Sequence, residues 1–475
     1  MYKYDDHDRK IVLERVKQFR GQTERYFSGD LSEDEFLILR LQNGLYVQRL
    51  APMFRVAVPY GMLSSAQVRN LAVLSRKYDK GYVHFTTRHN VQFNWPEMKD
   101  VPDMLESLAQ FEMHATQTSG NCIRNTSTDQ FAGVVNEEVT DPRPYCEIIR
   151  QWSTFHPEFA YLPRKFKIAV NACPDEDRAA IRVHDIGLQI VKNEAGEIGF
   201  QVYVGGGLGR TPLIGSLIKE FLPEKDLLTY LEAIVRVYNR YGRRDNKFKA
   251  RIKILVKALT PEVYAEKVEE EWNHFKDGSS KLTTDEINRI KDFFVPPAYE
   301  ELDSSSAEFE ALLASNEAFA NWVKRNTTQH KVTGYSAVTL TLKKAGVPTG
   351  NVSDAQLEAI ADLADEYSFG EVRVAHDQNV ALVDIKKSDL FAIWQKAMEL
   401  GFATPNLNML TDMICCPGGD YCALANAKSI PVAEQIQNRF DDLDYLYDLG
   451  EIELNISGCM NACGHHHVGD IGVLG

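Results

Sequence analysis

The sequence predicts an α+β protein assembled by internal duplication. Two observations carry this: a long ungapped repeat, and a helix start signal that recurs at the same place in both copies. Residues 58 to 93, VPYGMLSSAQVRNLAVLSRKYDKGYVHFTTRHNVQF, align with residues 347 to 382, VPTGNVSDAQLEAIADLADEYSFGEVRVAHDQNVAL, with 13 of 36 positions identical. About two matches would arise by chance at average composition.

Each copy opens with a V-P-x-G turn followed by S-x-x-Q, the pattern of a capping box in which Ser64 or Ser353 caps a helix and Gln67 or Gln356 reaches back. Apolar residues then recur at helical spacing, Val68, Leu71 and Ala72 in one copy and Leu357, Ile360 and Ala361 in the other. After Gly81 and Gly370 come strand-like stretches, YVHFTTR and NVQFNW, then EVRVAHD and NVALVDI. A second helix follows each, near PDMLESLAQF and DLFAIWQKAMEL. This order resembles a ferredoxin-like unit. Fainter echoes continue: FKIAVNAC (166 to 173) parallels IELNISGC (452 to 459), and VHDIGL (183 to 188) parallels VGDIGV (468 to 473). The glycine-rich and helical material after the first set has no counterpart after the second, so the second copy is expected to be truncated.

Composition narrows the function classes. The chain has 475 residues, 44% apolar and 25% charged, and a formal net charge of −14. That charge argues against a protein clasping nucleic acid over its whole surface. No apolar run approaches the roughly 18 residues of a membrane span, and the opening MYKYDDHDRK has no signal-like core, so a cytoplasmic location is expected. One basic stretch stands out, NRYGRRDNKFKARIKILVK (239 to 257). It reads as a solvated face, a contact for a cofactor's carboxylates, or a dock for an acidic partner.

Of eight cysteines, Cys122, Cys146 and Cys173 are scattered, whereas Cys415, Cys416, Cys422, Cys459 and Cys463 crowd toward the end, in CCPGGDYC and SGCMNACGHHH. Five residues separate Cys416 from Cys422 and three separate Cys459 from Cys463. Structural zinc sites favour shorter, matched gaps, while iron–sulfur clusters accept wider and unequal ones. An iron–sulfur cluster, a zinc site and buried or redox-active thiols all remain open on spacing alone. Three consecutive histidines at 465 to 467 cannot all face one way and read as polar lining or surface; Cys415 reads as a bystander.

The C-x5-C and G-C-x-N-x-C-G motifs, with MFRVAVPYG, TTRHNVQF, NCIRN, LPRKFK and VGGGLGR in that order, resemble the assimilatory nitrite and sulfite reductases that carry sirohaem and a [4Fe–4S] cluster, most nearly the sulfite reductase hemoprotein. The resemblance implies Cys416, Cys422, Cys459 and Cys463 as cluster ligands, with Cys463 shared with the sirohaem iron. It implies Arg55, Arg124, Lys165 and Lys167 as the anion-binding, catalytic quartet. It places Arg88, Gln92 and the backbone of Gly205, Gly206 and Gly207 around the sirohaem. VGGGLGR has Arg210 where a dinucleotide fingerprint needs glycine, so electrons are expected from a partner, ferredoxin or an NADPH-flavoprotein subunit. Lys165-Phe166-Lys167 points to sulfite over nitrite as substrate, since the resembling nitrite enzymes tend to carry Lys-x-Asn. A cluster-binding protein without turnover and a zinc-binding structural protein are the other classes weighed.

The implied organisation is an N-terminal helical segment (1–50), a ferredoxin-like half-domain (51–115), a sirohaem-binding domain (116–295), linker helices (296–330), a second half-domain (331–403) and a cluster- and sirohaem-binding domain (404–475).

Overall fold

The structure, a computed structural model, describes residues 4–475. The repeat folds as two ferredoxin-like units around one shared core. Helix Ser65–Tyr78 and helix Asp354–Tyr367 begin with the same capping box, Ser64 with Gln67 and Ser353 with Gln356. Each glutamine also ties its helix to the end of the second helix of its unit: Gln67 Nε2 donates to Phe111 O and Gln356 Nε2 to Leu400 O, both at 2.9 Å. The apolar faces of these helices, with Leu71 and Ile360 fully buried, pack into a single hydrophobic cluster that draws on both units.

The two sheets are not closed within their own repeats. The first runs Leu45–Val47, Pro52–Val56, Val91–Phe93, Tyr82–Phe85 and then Asn351–Ser353, a strand from the second repeat. The second runs Thr327–Gln329, Tyr335–Leu340, Val380–Lys386, Glu371–Val374 and then Met62–Ser64 from the first. Each repeat thus lends the other an edge strand, seating it just before the capped helix. The turns between the paired strands also match: His89 (φ 62) and Gln378 (φ 68), equivalent in the repeat, both take the left-handed conformation that costs a non-glycine residue about 1 kcal/mol.

A four-stranded sheet, Ile168–Asn171, Ile186–Lys192, Ile198–Val204 and Ser216–Pro223, forms the next domain, its first pair parallel. Helices Arg143–Ser153, Leu227–Tyr241, Ile252–Leu259 and Pro261–Asn273 cover it with a second apolar core. A smaller sheet ends the chain: Ile414–Cys415, Leu454–Ser457 and Ile471–Leu474, all parallel. Strand Leu454–Ser457 is the repeat counterpart of Ile168–Asn171. Among the described residues, no helix is long and apolar enough to cross a membrane.

Candidate anion and cluster site

Strand register builds the floor of one cleft. Arg55 lies opposite Gln92, Gln92 opposite His84, and His84 opposite Asn351, one rung across four strands. Residues directly opposed on neighbouring strands project to the same face, so these four side chains form a row. Arg55 Nη2 donates to Gln92 Oε1 at 3.0 Å and its Nη1 to Thr118 O at 3.4 Å, while its buried Nε has no partner among the described residues. His84 Nδ1 meets Asn351 Oδ1 at 2.9 Å.

A second wall comes from the segments around Arg124 and Lys167, which zip together through Phe166 N–H to Cys122 O (3.0 Å) and Arg124 N–H to Phe166 O (2.7 Å). The two-residue period of extended chain puts Lys165 and Lys167 on one side and Phe166, fully buried, on the other. The Arg124 guanidinium is aimed by Thr118 O (2.8 Å) and Gly120 O (2.8 Å). Arg88, from the turn after the His84 strand, is held by Ser127 Oγ at 3.2 Å and by contacts to His184 and Asn125 O.

Six cationic side chains line the resulting cleft: Arg55, Arg88, Arg124, Lys165, Lys167 and Arg251. No carboxylate is among its lining residues, in a chain whose net charge is −14. Crowding and burial act on the titrations. Burial first, then Arg124 and Arg251, lowers Arg88 to about 9. Burial, reinforced by Arg251 and Arg124 against the opposing Cys463, lowers Lys165 to about 8. Burial, with Arg88, Lys165 and Arg251, pushes Lys167 well below the usual lysine range. An array of this kind calls for an anion, which restores the charged forms.

Cys416 and Cys463 line the same cleft. Electrostatic contacts connect the four expected ligands in series: Cys463 acts on the thiols of Cys416 and Cys422, and Cys459 acts on Cys422. Burial raises Cys416 and Cys422 above the usual thiol range. Gly458 N–H donates to Cys416 Sγ at 3.2 Å, the kind of bond that stabilises a thiolate. The loops are too close for side chains; a Cβ at Gly464 would sit 1.9 Å from Ile456 O, and one at Gly418 2.0 Å from Ser429 Oγ. Ala462 (φ 55), between Cys459 and Cys463, and His465 (φ 56), just after Cys463, hold left-handed backbone, strain of the sort found where geometry is functional. Among the described residues, no three His, Cys, Asp or Glu side chains converge as a single bound metal ion would require. Two thiols that open onto a cationic cleft, Cys416 and Cys463, suit a cluster beside a polycarboxylate group, while Cys422 and Cys459 lie outside the cleft lining.

The structure brings Arg55, Arg88, Gln92, Arg124, Lys165, Lys167, Cys416 and Cys463 to one cleft. Gly205, Gly206 and Gly207 lie behind it: a Cβ at Gly206 would strike Arg182 O (2.4 Å) and His184 O (2.6 Å), and the loop reaches the cleft through Leu208. Cys415 turns away, its thiol bonded to Cys416 O at 3.3 Å in a small apolar cluster. The histidines diverge, His465 into the cleft and His467 onto Gly209 O at 3.1 Å. The basic stretch corrects its solvated reading in part. Arg243 is exposed and pairs with Asp245, but Arg251 enters the cleft and buried Lys253 donates to the carbonyls of Leu208 (2.7 Å) and Thr211 (2.6 Å), closing the glycine loop. Sequence reasoning also passed over Asp185, a fully buried carboxylate bonded to Arg251; its only signal was its place in the VHDIGL echo.

Comparisons with known proteins bear on family and fold. Residues 119–276 match the family model "Nitrite and sulphite reductase 4Fe-4S domain", and residues 48–111 and 329–400 match "Nitrite/Sulfite reductase ferredoxin-like half domain". Relatives include the chloroplastic ferredoxin–nitrite reductase of Arabidopsis thaliana (26% identity, 89% of this chain, 67% of that one). Sulfite reductase [ferredoxin] 2 of Mycolicibacterium paratuberculosis is 28% identical over 89% of this chain and 69% of its own. The assimilatory ferredoxin-dependent nitrite reductase of Haloferax mediterranei is 25% identical over 91% and 72%. The solved structure of the Mycobacterium tuberculosis NirA protein superimposes with a TM-score of 0.75 at 24% identity, over 93% of this chain and 78% of that one, which supports the fold.

Proposed function

Because the chain belongs to the nitrite and sulfite reductase family, we propose that it reduces sulfite to sulfide, taking six electrons from a ferredoxin-type donor. As a member of that family it is an oxidoreductase with sirohaem and a [4Fe–4S] cluster. Cys416, Cys422, Cys459 and Cys463 would hold the cluster, Cys463 would also help hold the sirohaem, and Arg88, Gln92 and Arg251 would face the sirohaem carboxylates. When bound, the two groups supply the electrons.

What the chain's own residues do follows from the cleft. Arg55 and Arg124, both aimed by Thr118 O, present planar donor forks that orient an oxyanion. Lys165 and Lys167 carry protons toward departing oxygens, and sulfite needs many: each oxygen lost as water takes two. A lysine with its pKa lowered to about 8 by burial gives up a proton near neutral pH far more readily than one at the ordinary value.

The observation that carries sulfite over nitrite is the lysine pair on one side of Phe166, within a cleft whose lining has no carboxylate. A second ammonium adds more to binding a dianion than a monoanion, because Coulomb energy scales with the product of charges. Replacing Lys167 with Asn and comparing turnover of both substrates tests this. Sulfite turnover should fall at least about tenfold more than nitrite turnover; an equal or larger loss with nitrite would move the assignment to nitrite reduction to ammonium. Sulfide released from sulfite by the reconstituted chain with reduced ferredoxin also separates a reductase from a protein that only binds the cluster.

A further inference from the structure

Behind the cationic wall, and absent from the quartet, sits a single buried carboxylate. Asp185 has no exposed surface. Its Oδ1 accepts from Arg251 Nε (3.0 Å) and Nη2 (2.7 Å), and its Oδ2 accepts from Arg251 Nη2 (2.8 Å) and from the backbone N–H of Lys167 (2.8 Å). One carboxylate thus joins two cationic residues of the cleft, in the middle of an otherwise positive cluster. Four accepted bonds and full burial keep it in one place.

The duplication separates two parts of this arrangement. Asp470, the repeat counterpart of Asp185, accepts the backbone N–H of Glu453, counterpart of Lys167, at 2.9 Å. The backbone bond therefore belongs to the fold of either half. Asp185 in addition pairs with Arg251, and the residue whose backbone is pinned changes from a carboxylate in one half to an ammonium in the other.

We propose that Asp185 is a positioning residue of the oxyanion site: its carboxylate fixes Arg251 and the Lys167 segment and sets one negative charge against the surrounding cations. The groups facing Lys167 are the cations Arg88, Lys165 and Arg251 and the imidazoles of His184 and His465, with Asp185 the opposing charge. At the separations of such a cluster, a unit charge is enough to move a neighbour's titration by about one pH unit.

This inference rests on the oxyanion reading of the cleft, so the probe is inorganic sulfate, which neither titrates between pH 6 and 10 nor requires turnover. Its affinity for the full chain would be measured by calorimetry across that range. Asp185→Asn keeps the shape and removes the charge; sulfate affinity at pH 6.5 should stay within about threefold, while the alkaline midpoint of binding drops by about one pH unit, leaving binding about tenfold weaker above the wild-type midpoint. Asp185→Glu keeps the charge and displaces it; the midpoint should hold while affinity falls about equally at every pH. Asp470→Asn should change neither.

An unmoved midpoint in Asp185→Asn, a shifted midpoint in Asp185→Glu, or an equal response from Asp470→Asn would overturn the proposal. If Asn at 185 prevents folding, the Glu variant alone decides. Wild-type chain that binds no sulfate at pH 6.5 would sink the oxyanion reading as well, whereas wild-type binding with an unmoved Asn midpoint sinks only the role of Asp185.

Discussion

The two halves share a backbone plan and carry opposite charges on it. In the first sheet the rung is Arg55, Gln92, His84 and Asn351; the equivalent rung of the second is Thr339, Ala381, Arg373 and Met62. There Arg373 is fully buried and paired with Glu371, so it is a structural cation. Arg88 faces Asp377 in the repeat, and Lys167 faces Glu453. A second cavity, lined by Asp377, Asp412, Glu451, Glu453 and Asp470 of the second half and by Glu176, Asp177 and Arg178 of the first, is acidic where the cleft is basic. A duplicated scaffold fixes where side chains project, and a handful of substitutions decides what that projection attracts.

The largest test of this contrast concerns cysteine. Cys459 and Cys173 are repeat counterparts, yet Cys173 lies in an apolar cluster with Phe131 and Val134. Cys459→Ala should reduce iron per chain reconstituted with iron and sulfide alone from about four to below about one, read by metal analysis, while Cys173→Ala leaves it unchanged. Next is charge. Lys167→Glu, which gives the first half the residue of the second, should weaken sulfate binding about a hundredfold, roughly 3 kcal/mol. Glu453→Lys should leave sulfate affinity within about twofold.

A smaller effect is expected from pH. Burial lowers Lys165 to about 8 from 10.5. Below about 8 the folded, ligand-free chain carries the full cost of that buried charge; between 8 and 10.5 the unfolded chain binds more protons, so this lysine's contribution to stability rises with pH. A bound dianion needs the proton, so wild-type sulfate affinity should decline as pH climbs through 8, measured by calorimetry. The least effect should be the most symmetric: Gln67→Ala and Gln356→Ala each remove a cap bond and a bond to the far helix end. Each should cost about 1 kcal/mol in chemical denaturation, and unequal losses would show that the halves are not energetically equivalent.

Much of this was legible in the sequence because it is local. Capping boxes, helical spacing and paired strands depend on neighbours a few residues apart, and both repeats display them. The lent edge strands were not legible: Met62–Ser64 and Asn351–Ser353 are three residues each, and their partners lie nearly 300 positions away, so nothing in either segment names its sheet. Within the site, residues carried by the family resemblance were found, whereas Arg251 was hidden in a stretch dominated by surface charges such as Arg243. Asp185 was missed because a lone carboxylate gains its meaning from the cations around it, and these converge from segments far apart in the chain.

Strand lending also bears on how the chain can be divided. Neither repeat owns a complete sheet, so a nick between residues 296 and 330 would leave two pieces, each with a bare backbone ladder and half of a common apolar interior. Mixed, they should reassociate by fragment complementation; apart, each should aggregate. In folding terms the polypeptide is an obligate pair of partners that happen to share one covalent thread.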